Sequence, residues 1–191
     1  MQYQEDHYYI QQTRKGNLQS FGTLVEKHER KVFTLCLRML KNQEESEEAA
    51  QDAFVKAYQH LHGFSGNSKF TTWLFRIAYN ECLGRLRKRK NEFALVEELT
   101  EDMDPPAQWQ DGLSELLRTE REKMIKESLE KLSAQEGAIL TLFYLEEFSI
   151  KEISSVTAMT ESNVKVTLHR GRKNLAILLQ KSVHKDLIGI K

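Results

Sequence analysis

Hydrophobic residues recur every three or four positions along nearly the whole chain, the repeat of one buried helix face, and strand-like alternation is absent. Only two prolines and nine glycines interrupt the 191 residues, so the pattern predicts an all-α fold. With Asn17 as cap, a first helix buries Leu18, Phe21, Leu24, Val25, Val32, Leu35, Cys36, Met39 and Leu40, and His28 falls in the same stripe. A second helix begins at Ser46, with Glu47 and Glu48 in the first turn, where carboxylates complement the helix dipole. It buries Ala50, Ala53, Phe54, Ala57, Tyr58 and Leu61 and shows Glu48, Gln51, Asp52 and Val55 on its opposite face. Residues 63–69 hold two glycines and small polar residues, the composition of a loop that exposes backbone N–H groups. A third helix, Phe70 to Lys90, buries Leu74, Ile77, Ala78 and Cys82 and gathers Trp73, Arg76, Asn80 and Arg87 on another face.

The helical repeat then fails from Asn91 to Gly112, which holds both prolines, and this segment reads as a linker between two small helical domains, residues 1–90 and 113–191. Beyond it, Leu113, Leu116, Leu117, Met124, Ile125, Leu129 and Leu132 support a helix ending near Lys131. Ser133 and Glu136 form one capping box, opening a helix to Tyr144. Ser149 and Glu152 form another, flanked by Phe148 and Ile153 as a hydrophobic staple, opening a short helix to about Val156. After the turn at 157–159, Thr160 caps a last helix with Val164, Leu168 and Leu175 inward and Ser162, Lys165, Val166, His169, Arg170 and Lys173 outward. Two short helices joined by a tight turn, the second polar and basic outside, form a helix-turn-helix, whose second helix enters the major groove. Its Lys and Arg suit phosphates, while Ser162, Asn163 and Lys165 near its start suit base edges.

Charge sharpens this organisation. The 28 Lys and Arg balance 28 Asp and Glu, so the five cations in the six residues Arg85–Lys90 are local. Seven acids and no Lys or Arg follow between Asn91 and Asp111, which makes the linker polyanionic. Five clustered cations exceed what a helix end needs and favour phosphate contact. Trp73 and Phe70, by contrast, read as core rather than as platforms for bases. Cys36 and Cys82 stand without a CxxC pair or a secretory leader, which points to structural thiols in a reducing cytoplasm. No apolar run approaches the roughly 20 residues of a membrane helix. His60 and His62 lack further ligands at metal spacing, so neither a metal nor another cofactor is assigned. No GxxxxGK[ST], HExxH or GxSxG motif supports an enzyme.

Read together, the two halves resemble a bacterial RNA polymerase sigma factor of the extracytoplasmic-function (ECF) type, in the sigma-70 family. Glu47-Glu48-Ala-Ala-Gln51-Asp52-Ala-Phe54 resembles region 2.2, Phe70 through Asn80 region 2.3, and the run to Lys90 region 2.4. Leu132 through Leu175 resembles region 4.2, with Val164-Lys165 and Leu168-His169-Arg170 matching its closing pattern.

The resemblance implies a non-enzymatic subunit that directs core RNA polymerase to promoters, cytoplasmic and nucleoid-associated when in the holoenzyme. It implies that Glu47, Glu48, Gln51 and Asp52 dock on the polymerase clamp helices, with the flap as a further polymerase contact. It implies that the minus-ten element is melted and captured by the loop residues Phe64, Ser65, Asn67, Ser68 and Lys69 together with Arg76, Asn80, Arg85, Arg87, Lys88 and Arg89. The minus-thirty-five element falls as duplex to Ser162, Asn163, Lys165, Val166, His169, Arg170 and Lys173. Many relatives also have an anti-sigma factor as partner. Two departures stand out: the loop lacks the Arg and acid common after its first Phe, and Thr167 stands where an Arg is common. A stand-alone helix-turn-helix regulator would explain 133–175 but leave the acidic face of the second helix and the 70–90 stretch without a role.

Overall fold

Asn17 and Asn42 show how the sequence starts its helices. Each adopts extended backbone, and its side-chain oxygen accepts a hydrogen bond from the amide three residues on, Ser20 in one case and Glu45 in the other. The computed structural model describes backbone over residues 2–95 and 123–188 and side chains over 5–90 and 123–182. Its elements are α1 (Gln2–Arg14), α2 (Leu18–Leu40), α3 (Gln43–His60), a short 3₁₀ turn (Leu61–Gly63), α4 (Phe70–Leu95), α5 (123–130), α6 (Ala134–Tyr144), α7 (Ile150–Thr157) and α8 (Glu161–Ile188). No strand occurs among the described residues.

Several expectations need correcting. The second predicted helix starts at the Asn42 cap, not at Ser46, whose buried hydroxyl instead bonds back to the Asn42 carbonyl. α4 runs past Lys90 to Leu95. Leu18 and Tyr58, expected in the core, are 65% and 42% exposed, and Ile125 is exposed too. Ile77 and Leu175 are only partly buried. α1 had no counterpart in the hydrophobic pattern. The linker from residue 96 onward, with Leu113, Leu116 and Leu117, lies outside the described residues.

α2 is the central element, packing against α1, α3, α4 and α6, while α7 packs on α4 and α8 covers α6 and α7. Its buried stripe of Leu24, Val32, Leu35, Cys36, Met39 and Leu40 is continuous with Ala49, Ala53, Leu74, Phe75 and Ala78 from α3 and α4. His28 in the same stripe meets Asp6 of α1, Nε2 to Oδ2 3.2 Å. Burial pushes the Asp6 carboxyl up, but hydrogen bonds from His28 and Lys27 outweigh it and hold the group below its ordinary value. The Cys82 thiol is pushed up by its hydrogen bond with Cys36 and by burial, and both cysteines are free and buried.

The helix-turn-helix and the preceding bundle share this core. Phe75 and Phe148 meet with ring centroids 5.4 Å apart. Lys31 Nζ pairs with Glu146 at 2.9 Å, and Lys41 Nζ donates to the Leu132 carbonyl. Gly137 allows α6 to approach closely, for a Cβ there would stand 3.1 Å from the Arg38 carbonyl oxygen.

Candidate nucleic-acid and polymerase interface

The loop before α4 is held from both sides. Arg14 of α1 donates from Nη2 to the Leu61 carbonyl at 2.8 Å and also to the Phe64 carbonyl, fixing the loop's first residues. Gly66 supplies a positive φ of 76° at the bend. Phe64 is 7% exposed, packs its ring on Trp73 and Phe70 at 5.1 and 6.0 Å, and has its N–H and carbonyl taken by Leu61 and Arg14, so it anchors the loop from inside and does not face a DNA strand as expected. Ser65, Asn67, Ser68 and Lys69 are exposed. Lys69 Nζ reaches across to Glu152 of α7 at 2.8 Å. That carboxylate also accepts from the Ser149 amide at 2.9 Å, so one residue caps α7 and tethers the loop.

On α4, Arg76, Asn80, Arg87 and Lys88 are exposed, whereas Trp73 is partly buried in the aromatic cluster. The basic end is not one uniform phosphate surface. Arg85 is engaged by Glu48 and Asp52 of α3 and by Glu81 of its own helix, and Arg89 pairs with Glu45. Of two arginines assigned to DNA, Arg85 thus sits against the acidic residues assigned to polymerase and Arg89 against their neighbour Glu45. Sequence reading missed this because the partners lie 33–44 residues apart.

Glu47, Glu48, Gln51 and Asp52 are all exposed on α3. Beside them runs a groove of about 1060 Å³ between α2 and α3, lined by Leu18, Phe21, Val25, Phe33, Phe54, Val55 and Tyr58 with Glu29, Arg30, Glu47 and Gln51 at its polar margin. Leu18 and Tyr58 are exposed because they face this groove. Their helical spacing alone made them look like core.

The helix-turn-helix is built as its capping residues indicate. Ser133–Glu136 and Ser149–Glu152 form reciprocal capping boxes, Ala158 makes the left-handed turn at φ 56°, and the Thr160 hydroxyl accepts from the Asn163 amide at 3.3 Å. Ser162, Asn163, Lys165, Val166, His169, Arg170 and Lys173 are exposed on α8. Arg170 is also a strut: its Nε donates to buried Glu136 at 2.7 Å, and Asn174 donates to the same oxygen at 3.0 Å. Burial pushes the Glu136 carboxyl up, yet bonds from Ser133 and Arg170 hold it below its ordinary value. Thr167 is buried, so the departure from Arg at this position points inward. His60 and His62 are exposed, and no group of three metal-ligating side chains occurs among the described residues. No described helix is long and apolar enough to cross a membrane.

Comparison with known proteins identifies the family. The family model for Sigma-70 region 2 matches residues 24–92, and that for Sigma-70, region 4 matches residues 122–175. The ECF RNA polymerase sigma factor SigW of Bacillus subtilis is 35% identical over 172 residues, covering 87% of this chain and 92% of SigW. The RNA polymerase sigma-H factor of Pseudomonas aeruginosa is 28% identical over 189 residues, covering 93% and 95%. Among solved structures, CnrH, determined with the cytosolic domain of CnrY, superposes with a TM-score of 0.64 at 22% identity over 93% of this chain and 98% of that one. The sigma factor RpoE of Bartonella quintana, determined with the anti-sigma factor NepR, gives 0.67 at 22% identity over 84% and 96%. The chain belongs to the sigma-70 family, as an RNA polymerase sigma factor of the ECF type that directs transcription initiation.

Proposed function

We propose that α3 docks the protein on core polymerase through Glu47, Glu48, Gln51 and Asp52, that α4 and its preceding loop open and hold the minus-ten element, and that α8 reads the minus-thirty-five element as duplex. The observation that carries this reading is the presence of three exposed surfaces of different chemistry: an acidic face beside an apolar groove on α3, a polar and basic face on α4 that meets it through Arg85 and Arg89, and a basic recognition face on α8. Acids suit a basic clamp. Asn80, Arg76 and the backbone and polar side chains of 65–69 suit unpaired bases and phosphates, while stacking falls to whichever ring the bound strand can reach. Arg87 and Lys88 lie on the phosphate side, and Lys165 and His169 reach into the major groove.

The two promoter elements lie roughly 25 base pairs apart by their names, about 85 Å of B-form DNA at about 3.4 Å per base pair. Phe75 and Phe148, in contrast, hold α4 and α7 in ring contact. Reading both elements therefore requires α6–α8 to part from α2 and α4, which frees Lys69 from Glu152 at the same time.

The apolar groove on α2 and α3 also fits an amphipathic segment of an anti-sigma factor, the kind of partner with which RpoE of Bartonella quintana was determined. The protein acts in the cytoplasm, at the nucleoid once in the holoenzyme, and contributes binding rather than turnover. The experiment that separates this reading from a stand-alone regulator is the charge reversal Glu48→Lys with Asp52→Lys. Loss of promoter-dependent transcription with retained duplex binding supports polymerase docking, and full activity in the double variant contradicts it.

A further inference from the structure

All three guanidinium nitrogens of Arg85 contact carboxylates. Nη1 meets Glu48 Oε2 at 3.0 Å, Nη2 meets Asp52 Oδ2 at 2.6 Å, and Nε meets Glu81 Oε1 at 3.3 Å. Glu48 and Asp52 stand four apart on α3, a spacing at which like charges repel. Arg85 bridges them with the planar fork that a lysine lacks. Its side chain is 24% exposed, while those of Glu48 and Asp52 remain 61% and 51% exposed and open to a second cation. One turn away on either side, Arg89–Glu45 and Lys56–Glu81 continue the same ladder between α3 and α4.

We infer that Arg85 is a positioning residue for the polymerase-docking face, holding Glu48 and Asp52 side by side for a basic partner, rather than a phosphate contact of the basic run. This rests on the docking role proposed for α3. Three carboxylates already neutralise this guanidinium and take three of its five N–H donors, so a phosphate would have to compete with them for it. Two carboxylates fixed by a shared partner lose less side-chain freedom on docking, which favours affinity. The helix that handles the minus-ten strand thereby sets the geometry of the helix that holds polymerase.

The test compares Arg85→Gln, Arg85→Lys and Arg87→Gln in the full chain, each checked by thermal melting. Two quantities are read: affinity for core polymerase, and the salt dependence of promoter binding by holoenzyme at saturating core. Arg85→Gln is expected to weaken core binding roughly tenfold, the scale of a lost charged hydrogen-bond partner, and to leave the salt slope unchanged. Arg85→Lys, which keeps charge but not the fork, should fall between. Arg87→Gln should do the reverse, lowering the salt slope by about one with core affinity intact. On a Glu48→Gln, Asp52→Gln background, Arg85→Gln should cost nothing further. A lowered salt slope with unchanged core affinity in Arg85→Gln would make it a phosphate contact and overturn the inference. So would a loss that adds in full to that of the two α3 substitutions. If those two substitutions leave core affinity unchanged, the docking role of α3 fails first and the inference falls with it. Should Arg85→Gln not fold, Arg85→Lys at full wild-type core affinity overturns it equally.

Discussion

Phe75 of α4 and Phe148, just before the cap of α7, meet edge to face with ring centroids 5.4 Å apart and join the parts matched by two separate sigma regions. Phe75 is wholly buried and Phe148 nearly so. The contact makes one core of the two matched parts.

Phe148→Ala should loosen this junction. Truncating a buried phenylalanine costs about 3–5 kcal/mol, and here much of that loss falls on the contact between units. With dyes on cysteines introduced at Gln59 and Lys181, both exposed and on opposite units, energy transfer should drop in the variant. Free protein should also bind minus-thirty-five duplex more tightly, as α6–α8 are released. Unchanged transfer would mean that the rings do not hold the units together.

Arg170 and Lys165 should part company when substituted. Arg170→Ala leaves the buried Glu136 carboxylate without its Nε partner and should lower stability by about 1–3 kcal/mol, seen as a reduced Tm. Lys165→Ala should leave Tm unchanged and weaken duplex recognition, with partial rescue on a pre-melted template. Equal Tm values for the two variants would contradict the strut role of Arg170.

Acid should weaken the junction through Glu152. Burial pushes this carboxyl up, but hydrogen bonds from Lys69 and Ser149 outweigh it and hold the group below its ordinary value, as happens also at Asp6 and Glu136. A folded value below the unfolded one stabilises fully above about pH 4.3, and that stabilisation is lost as pH falls through the folded value. Tm should therefore decline in acid, and Glu152→Gln should lie below wild type at neutral pH but converge with it in acid. A gap that persists unchanged into acid would remove Glu152 from the linkage.

The parts legible in the sequence were those that announce themselves locally. The Asn17 cap, both capping boxes and the Thr160 cap need only residues three apart, and all four form as read. α1 escaped because its inward positions include Asp6 and Thr13 beside Ile10, and polar residues that pair in the fold leave no hydrophobic stripe. For the same reason Arg14, which holds the loop before α4 by two carbonyls, carried no signal. Leu18 and Tyr58 repeat like core residues but line an open groove, a distinction that helical spacing does not make. Arg85, Arg89 and Arg170 read as three equivalent cations on exposed faces. Only the neighbouring helix shows that each is matched to a carboxylate.

Run-off transcription with purified core RNA polymerase on genomic promoter fragments bears on the whole assignment at once. Adding the protein should yield discrete transcripts absent with core alone, and Glu48→Lys with Asp52→Lys should abolish them. No product above core alone, with both proteins shown to be folded, would contradict a role in directing initiation.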